Sequence, residues 1–460
     1  MHKLLPASLA LALVAPWSAH AQSTPSSTEL KALRDEIAAL RGAYEARLQS
    51  LEARLKAAEA QTASAAATPA ATPPAAVAPA SLPAPAGGGA NAFNPAISLI
   101  LSGGYTRTSQ DPENYTITGF QLPVGGEIGP GGRGFSLAES ELGLSASIDP
   151  WLRGVANIAL APENEVSVEE AYIQTTSLGG GLTLKAGRFF SGIGYLNPQH
   201  AHTWDFADNP LAYQAMLGTQ YGDDGVQLNW LAPTDQFIEL GVELGRGRGF
   251  PGGDNSRNGI GMAALTAHTG GDIGDSHSWR AGLSVLNARA DGLGLVGTAA
   301  DGGLLESAFS GSTRVWVADG VWKWSPNGNA TRTSFKLQGE YLQSRRSGDL
   351  TPDGGDAAAY RSTQSGWYLQ GVYQFLPGWR IGLRTEQLDA RTPDYGANNG
   401  LYALTGYSPR KNSLMLDFNP SEFSRVRLQL AQDRSREGAT DNQLMLQYQM
   451  SLGAHGAHSF

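Results

Sequence analysis

Histidines form two close pairs in this chain. One residue separates His200 from His202, and two residues separate His455 from His458 near the carboxyl end. Neutral imidazole binds zinc and other late transition metals, so an H-x-H segment in a loop can present two nitrogens to one ion. The pattern predicts a weak site for zinc or another divalent cation, formed by His200, His202 and His455. The alternative is that the first pair hydrogen-bonds within its own loop and His458 lies at a polar interface.

The first pair lies in a long connection, 189–223, that carries further charged residues. Asp205 and Asp208 follow the histidines, and Arg188 stands at the base of the segment. A connection of this length is usually functional rather than a simple link. If it folds into a pore, Arg188, Asp205 and Asp208 would lie at the constriction, and either aspartate could complete the metal site.

A second set of charges lies further along the chain. Its members fall on the polar phase of two predicted strands and would form a basic stripe in a pore: Arg380, Arg384, Arg425 and Arg427. An unpaired stripe would favour anions. Acidic residues on the same phase, Glu386, Asp417 and Asp433, would neutralise it if they paired with the arginines, so the sequence leaves the sign of the selectivity open.

Strands must position these residues, because the apolar pattern has a period of two from Ile97 onward. Sixteen segments show the alternation, at 97–107, 135–149, 151–160, 166–176, 180–188, 224–232, 236–245, 258–268, 277–287, 312–324, 333–343, 365–375, 378–388, 412–419, 423–433 and 442–460. The fold class is therefore all-β. An N-terminal α-helical coiled coil is expected to precede the strands.

The connections between these segments alternate in length. Long loops are expected at 108–134, 189–223, 288–311, 344–364 and 389–411, and the short turns are flanked by aromatic residues such as Trp151, Trp379 and Phe423. Short turns at one end, long loops at the other and an aromatic girdle are typical of a transmembrane antiparallel β-barrel of the outer membrane. A soluble β-sandwich, the competing fold, would show neither the loop asymmetry nor the girdle.

The N-terminal region predicts export. Residues 1–21 have the basic start, short apolar run and Ala-His-Ala cleavage site of a signal peptide. Residues 22–60 carry apolar residues at alternating three- and four-residue steps and predict a periplasmic coiled-coil helix. Residues 61–96, rich in Ala, Pro and Gly, read as a linker, and 97–460 as the barrel. The chain has no cysteine, and its formal net charge of -9 argues against nucleic acid as a partner.

The layout resembles the phosphate-selective porin superfamily, the O- and P-type outer-membrane porins. The segments "VEEAYIQ" (168–174) and "LKAGRFFSGIGYLN" (184–197) carry that likeness, while "NPQHAHTWDFADNPL" (197–211) and the ending "GAHGAHSF" are similar to a subgroup labelled zinc-regulated outer-membrane proteins. The resemblance implies a homotrimer whose third loop folds into the lumen. The terminal Phe460, in the lipid-facing phase of the last strand, resembles the signal read by the barrel-assembly machinery.

The expected function is passive diffusion of small hydrophilic solutes or ions through an outer-membrane porin that needs no cofactor. No G-x-S-x-G elbow occurs, and an enzyme is not expected. Two alternatives stay open, namely a barrel enzyme with a metal or histidine-based site and a barrel that anchors a periplasmic coiled-coil tether. A TonB-dependent transporter is excluded, because 22–96 cannot fold into a plug domain.

Overall fold

The computed structural model describes residues 95–161, 165–253 and 258–453. The predicted signal peptide, the coiled coil, nearly all of the linker, His455, His458 and Phe460 lie outside these ranges. No helix among the described residues is long and apolar enough to cross a membrane.

Eighteen strands form one sheet in which every pairing is antiparallel. Their bounds are β1 Ala96–Thr108, β2 Leu122–Pro123, β3 Gly134–Ser136, β4 Ser140–Ser147, β5 Leu152–Leu160, β6 Val166–Thr175, β7 Leu182–Phe190, β8 Gly222–Leu231, β9 Phe237–Gly245, β10 Met262–Ile273, β11 His277–Thr298, β12 Leu304–Trp324, β13 Ser334–Pro352, β14 Ala358–Leu376, β15 Trp379–Asp389, β16 Arg410–Ser421, β17 Ser424–Arg434 and β18 Asp441–Gly453. The one α-helix of the described ranges, α1, spans Leu211–Leu217, and four 3₁₀ turns cover Pro112–Asn114, Ala201–Thr203, Pro326–Gly328 and Gly396–Asn398.

The wall is a closed barrel of sixteen strands, which confirms the predicted fold. β1 pairs with β18 from Ser98↔Gly453 to Thr108↔Gln443, so the sheet has no free edge there. Two of the eighteen strands are not separate strands of the wall. β3 pairs with β1 in line with β4, so the two occupy one position in the wall. β2 lies inside the first long loop and pairs with the upper end of β11. All sixteen predicted segments coincide with wall strands.

The outer face of the strands is apolar and the inner face is polar over much of its height. Large outward side chains remain exposed along the wall, among them Val242, Leu383 and Leu430. Trp151, Trp230, Phe237, Phe375 and Phe423 are exposed beside the short turns. A second row of outward aromatic residues, Trp316, Tyr341 and Trp367, lies higher on β12–β14. The barrel thus carries an apolar band between two aromatic rows.

Two predicted loops are strand for most of their length, and this part of the prediction was wrong. β11 to β14 continue through much of 288–311 and 344–364 as tall hairpins. Their inward residues Leu295, Phe309, Leu350 and Tyr360 are buried against Tyr395 and Tyr402 of the loop after β15. This small core stabilises the raised rim. Glycine and serine on the outward phase obscured the alternation in the sequence.

Candidate functional site

The third loop at the long-loop end of the barrel, residues 191–221, turns into the lumen and is held there by wall carboxylates. Glu340 on β13 accepts hydrogen bonds from the backbone N–H groups of Tyr195 and Leu196, at 3.1 and 3.0 Å. Glu386 on β15 accepts one from the N–H of Leu211, at the start of α1, at 2.6 Å. Glu243 on β9 accepts another from Gly192 at 2.8 Å. Buried backbone donors of an irregular segment need such partners.

An apolar core inside the barrel holds the helix of this loop. All seven residues of α1 are buried. Leu211, Tyr213 and Met216 belong to one cluster with inward wall residues, including Leu342, Tyr368 and Leu388, and with Ile117 and Phe120 of the first long loop. The upper lumen beside β10–β15 is therefore packed like a protein interior.

Asp205 and Asp208 bind the third loop to cations of the wall. Asp208 lies 2.6 Å from both Arg384 Nη2 and Lys411 Nζ, and Gln429 donates to it at 2.7 Å. Asp205 pairs with Lys336, and with Arg380 at 3.1 Å. Burial alone would raise the pKa of both carboxyl groups, but the neighbouring cations outweigh it and hold each pKa well below its ordinary value.

The predicted basic stripe and the loop aspartates thus meet. Arg425 and Arg427 donate to backbone carbonyls of the same loop: Arg425 to His202 O at 2.6 Å and Arg427 to Trp204 O at 2.6 Å. Asp417 pairs with Arg380 and lies 4.0 Å from Arg427. Two of the three wall carboxylates weighed as neutralising partners pair with these arginines, since Arg384 contacts Glu386 at 2.9 Å and Arg380 contacts Asp417. The third, Asp433, instead lies 3.6 Å from Lys411. These arginines hold the loop as well as lining the lumen.

The charges at this level do not balance. Four cations form what we call the basic cluster, namely Lys336, Arg380, Arg425 and Arg427. Among the described residues, they surround two carboxylates, Asp205 and Asp417. Lys336 and Arg380 keep 23% of their side chains exposed. All four lie on strand segments near the short turns. Lys323 directly opposes Lys336 on the neighbouring strand.

Arg188 does not belong to this constriction, and its predicted place in the pore was wrong. On β7 it shares the outward phase of Leu182, Leu184 and Ala186. Its partner is Asp224, which faces it across the β7–β8 ladder with Nε to Oδ1 at 2.7 Å. The side chain lies at the base of the third loop, as its position in the sequence indicates, but outside the wall.

His200 and His202 face a group of wall carboxylates instead of Asp205 and Asp208. His200 Nδ1 lies 3.1 Å from Glu169 Oε2 and 3.3 Å from Glu141 Oε2, and its Nε2 lies 2.9 Å from Glu170 Oε2. His202 Nδ1 lies 2.9 Å from Glu141 Oε2. The expectation that an aspartate of the loop completes the metal site was wrong, because the cations of the wall bind both aspartates.

A β-bulge builds this arrangement. Asn157 on β5 faces Glu170, and the next pair is Ile158 with Val168, so Glu169 is an extra residue on β6. In a regular strand, Glu169 and Glu170 would point to opposite faces, whereas here both reach His200. Glu169, Glu141 and His200 offer ligand atoms that all lie within 4.8 Å of one another.

The group formed by His200, His202 and the wall glutamates carries an excess of negative charge. Burial would lower the pKa of His200, but its contacts with Glu141, Glu169 and Glu170 outweigh burial and raise that pKa well above the ordinary value. Glu141 Oε2 is buried and lacks a partner with hydrogen-bond geometry. Three carboxylates around two imidazoles leave negative charge even when both rings are protonated. The donor set is therefore suited to a cation.

Five further wall residues contact the loop: Glu141, Glu169, Glu170, Lys336 and Lys411. The polar phase of the strands placed Glu141 and Lys336 in the lumen lining without a role in the site, and the other three were not singled out. Two consecutive glutamates in a strand whose other residues alternate are the one local signal of the bulge. The two lysines carry no such signal, since their roles depend on which residue of the loop reaches them.

No protein-family model matches the chain. Among solved structures, a loop-deletion mutant of OmpT, an outer membrane protein of Vibrio cholerae, gives a TM-score of 0.48 at 10% identity, covering 78% of this chain and 99% of that one. The anion-selective porin from Comamonas acidovorans gives 0.45 at 10% identity, with 78% and 99% covered. Pseudomonas putida OprB gives 0.43 at 14% identity, with 78% and 94% covered.

A much closer relative occurs in Aquifex aeolicus (strain VF5). It is described as an "Uncharacterized protein" and is 32% identical over 397 residues, which span 80% of this chain and 80% of that protein. The chain belongs to the same protein family as this Aquifex aeolicus protein.

Proposed function

We propose that the protein is an outer-membrane channel for passive diffusion of small hydrophilic solutes, with a preference for anions. Within the described ranges, each wall strand pairs with a neighbour on both sides, and the exposed apolar band between two aromatic rows suits a lipid environment. Sixteen strands enclose a lumen wide enough for an aqueous path beside the third loop.

The observation that carries the anion preference is the basic cluster. Its four cations share two carboxylates, and the unbalanced charge lies in the lumen, where local rings of charge select ions. Other acidic groups of the inner wall, such as Glu340 and Glu386, accept hydrogen bonds from the third loop.

Liposome swelling tests the channel itself. Vesicles that contain the folded protein should swell in small neutral sugars at a rate that falls with sugar size. They should admit a small organic anion faster than a cation of the same size. Folded protein that produces no swelling would instead favour the tether or the enzyme as its role.

A second function is favoured by the histidine–glutamate group, namely binding of a divalent cation. Its ligands would be His200, Glu141 and Glu169, while Glu170 accepts the other ring N–H of His200 and orients the imidazole. His202 is close enough to Glu141 to join them. The contribution of His455, which lies outside the described residues, stays a prediction.

Zinc titration by calorimetry of the folded barrel tests the metal site. A His200→Ala/Glu169→Gln variant should lose the site, whereas a His268→Ala variant should keep it. His268 is a matched control, because it is a lumen histidine 3.4 Å from one carboxylate, Glu239. Equal binding by all three proteins, or binding by none, would contradict the assignment.

The remaining expectations complete the proposal. Residues 1–21 direct export, Phe460 addresses the chain to the barrel-assembly machinery, and the coiled coil of 22–60 supports a homotrimer in the periplasm. Membership in the O- and P-type porin superfamily is supported by sixteen strands and an inward third loop.

Deletion of 26–60 should lower trimer stability in native mass spectrometry, and trimers of unchanged stability would contradict the role of the coil.

A further inference from the structure

Four arginines lie together on the outer wall of the tall hairpins, directly above the upper aromatic row. Arg289, Arg314, Arg345 and Arg361 come from four neighbouring strands, β11 to β14, and all four are exposed. Their strand positions fall in the outward phase, opposite in phase to buried neighbours such as Ala288 and Arg346. We call them the outer arginine patch.

Strand register fixes the spacing of the patch. Arg314 directly faces Arg345, and Arg289 and Arg361 lie two residues higher, where they flank Ser312 and Ser347. Neighbouring strands are about 4.8 Å apart and two residues rise about 6.8 Å, so the four Cα atoms span roughly 15 by 7 Å. Long guanidinium side chains can converge on one ligand across this area.

The patch lacks internal neutralisation. Like charges directly opposite each other on a sheet face destabilise it, which makes the Arg314–Arg345 pair costly unless an anion lies between them. Among the described residues, none of the four arginines forms an ion pair within 4.0 Å. Arg314 donates to Asn287 Oδ1 at 2.6 Å. Asp394 is the bridge partner of Arg361, but its carboxylate accepts hydrogen bonds from the Gly396 N–H and the Asn399 side chain. Asp291 and Asp349 lie one row further toward the rim.

The patch surrounds a recess of about 930 Å³. The residues that line it include all four arginines, the polar side chains Asn287, Ser312, Ser347 and Thr363, and Ile260 from the connection before β10. Arginine forks and hydroxyl groups around a recess of this size match phosphate oxygens, and Ile260 adds an apolar wall.

The position of the outer arginine patch relative to the aromatic row indicates which ligand occupies it. The aromatic row of Trp316, Tyr341 and Trp367 marks the outer membrane–water interface of the proposed channel. Arg314 and Arg345 lie two residues above Trp316 and Gln343 on the same outer face, at the depth of lipid headgroups. We propose that the outer arginine patch binds a phosphate-bearing lipid headgroup of the outer leaflet, an inference that rests on the membrane location in the proposed function but not on conduction.

Native mass spectrometry of the full protein in detergent tests this site. The probes are a bisphosphorylated glycolipid, the same lipid without its phosphates, and the bisphosphorylated sugar without acyl chains. An arginine near an anionic lipid surface contributes about 1 kcal/mol, so an Arg314→Gln/Arg345→Gln variant should bind the phosphorylated lipid about 30-fold more weakly. Arg188→Gln, an outward arginine with its own partner Asp224, is the matched control and should bind normally.

Each result decides the question. Preference of wild type for the phosphorylated lipid, its loss in the double variant alone, and weak binding of the sugar would support the lipid site. Equal binding of both lipids, or an unaffected double variant, would overturn it. Sugar binding as tight as lipid binding would indicate a soluble phosphate ligand, and a changed oligomer mass in the double variant would indicate a contact between copies. Retained heat-modifiable migration on gels verifies that the variants fold.

Discussion

At the scale of single residues, ion pairs between the third loop and the wall organise the lumen. Asp208 of the third loop meets Arg384 and Lys411 of the wall, and all three side chains are almost completely buried. Buried charges are tolerated only when paired and hydrogen-bonded, so removal of one partner costs far more than removal of a surface pair. The sequence showed the aspartates and arginines but not their pairing, because pairing depends on the path of an irregular loop.

Replacement of Asp208 by asparagine should destabilise the barrel by about 3 kcal/mol, since two buried cations would lose their shared carboxylate. Urea unfolding of the protein in detergent measures this change. Asp389→Asn is the control, because Asp389 pairs with Arg391 at 3.5 Å and more than half of each side chain is exposed. Its effect should stay below about 1 kcal/mol. Equal effects of the two substitutions would show that the loop is not held by this contact.

His200 should be an imidazolium at pH 7 in the metal-free protein, because its carboxylate contacts raise its pKa. A raised pKa stabilises the fold fully below the unfolded value of about 6.5, and this contribution is lost as pH rises through the folded pKa. Nitrogen-15 NMR of the ring reports the charge. Zinc must displace the proton, so titrations in buffers of different ionisation enthalpy should show proton release. A neutral His200 in the metal-free protein at pH 7 would contradict this account.

At the scale of elements, period-two alternation predicted all sixteen wall strands, whereas local departures from it left only a weak signal in the sequence. The bulge at Glu169 leaves the sequence pattern almost unchanged, yet it turns two consecutive glutamates to one histidine. The tall hairpins were missed for a related reason, since their outward residues are small or polar and resemble a loop. The alternation of apolar and polar residues therefore predicted the regular wall. The irregularities that shape the site were found only in the structure.

Deletion of Glu169 should restore a regular β5–β6 ladder and leave Glu170 as the one β6 carboxylate beside His200, with Glu141 still present on β4. The barrel should fold, judged by heat-modifiable migration, and should still conduct, but calorimetry should show no zinc site. Glu165→Gln, in the turn just before β6, is the control and should bind zinc as the wild type does. Zinc binding by the deletion variant would mean that the bulge does not build the site.

At the scale of the whole molecule, a closed barrel was predictable and its interior was not. Alternation, loop asymmetry and aromatic rows all pointed to one fold. The apolar core inside the upper lumen was not foreseen, because inward apolar residues such as Leu286, Val315 and Leu342 look like any other residues of a strand. This core fills part of the lumen, and the basic cluster lies nearer the short turns.

The proposed channel is an aqueous path whose ion preference is set by the basic cluster. Planar-bilayer recording of reversal potential in asymmetric potassium chloride tests it most directly. Wild type should conduct with an anion-selective potential, and Lys336→Gln should shift that potential toward the cation side while Arg380 still holds Asp205. Arg391→Gln, on an exposed outer loop, should leave the potential unchanged. Absence of conductance from folded protein, cation selectivity of the wild type, or an unchanged potential in Lys336→Gln would contradict the account.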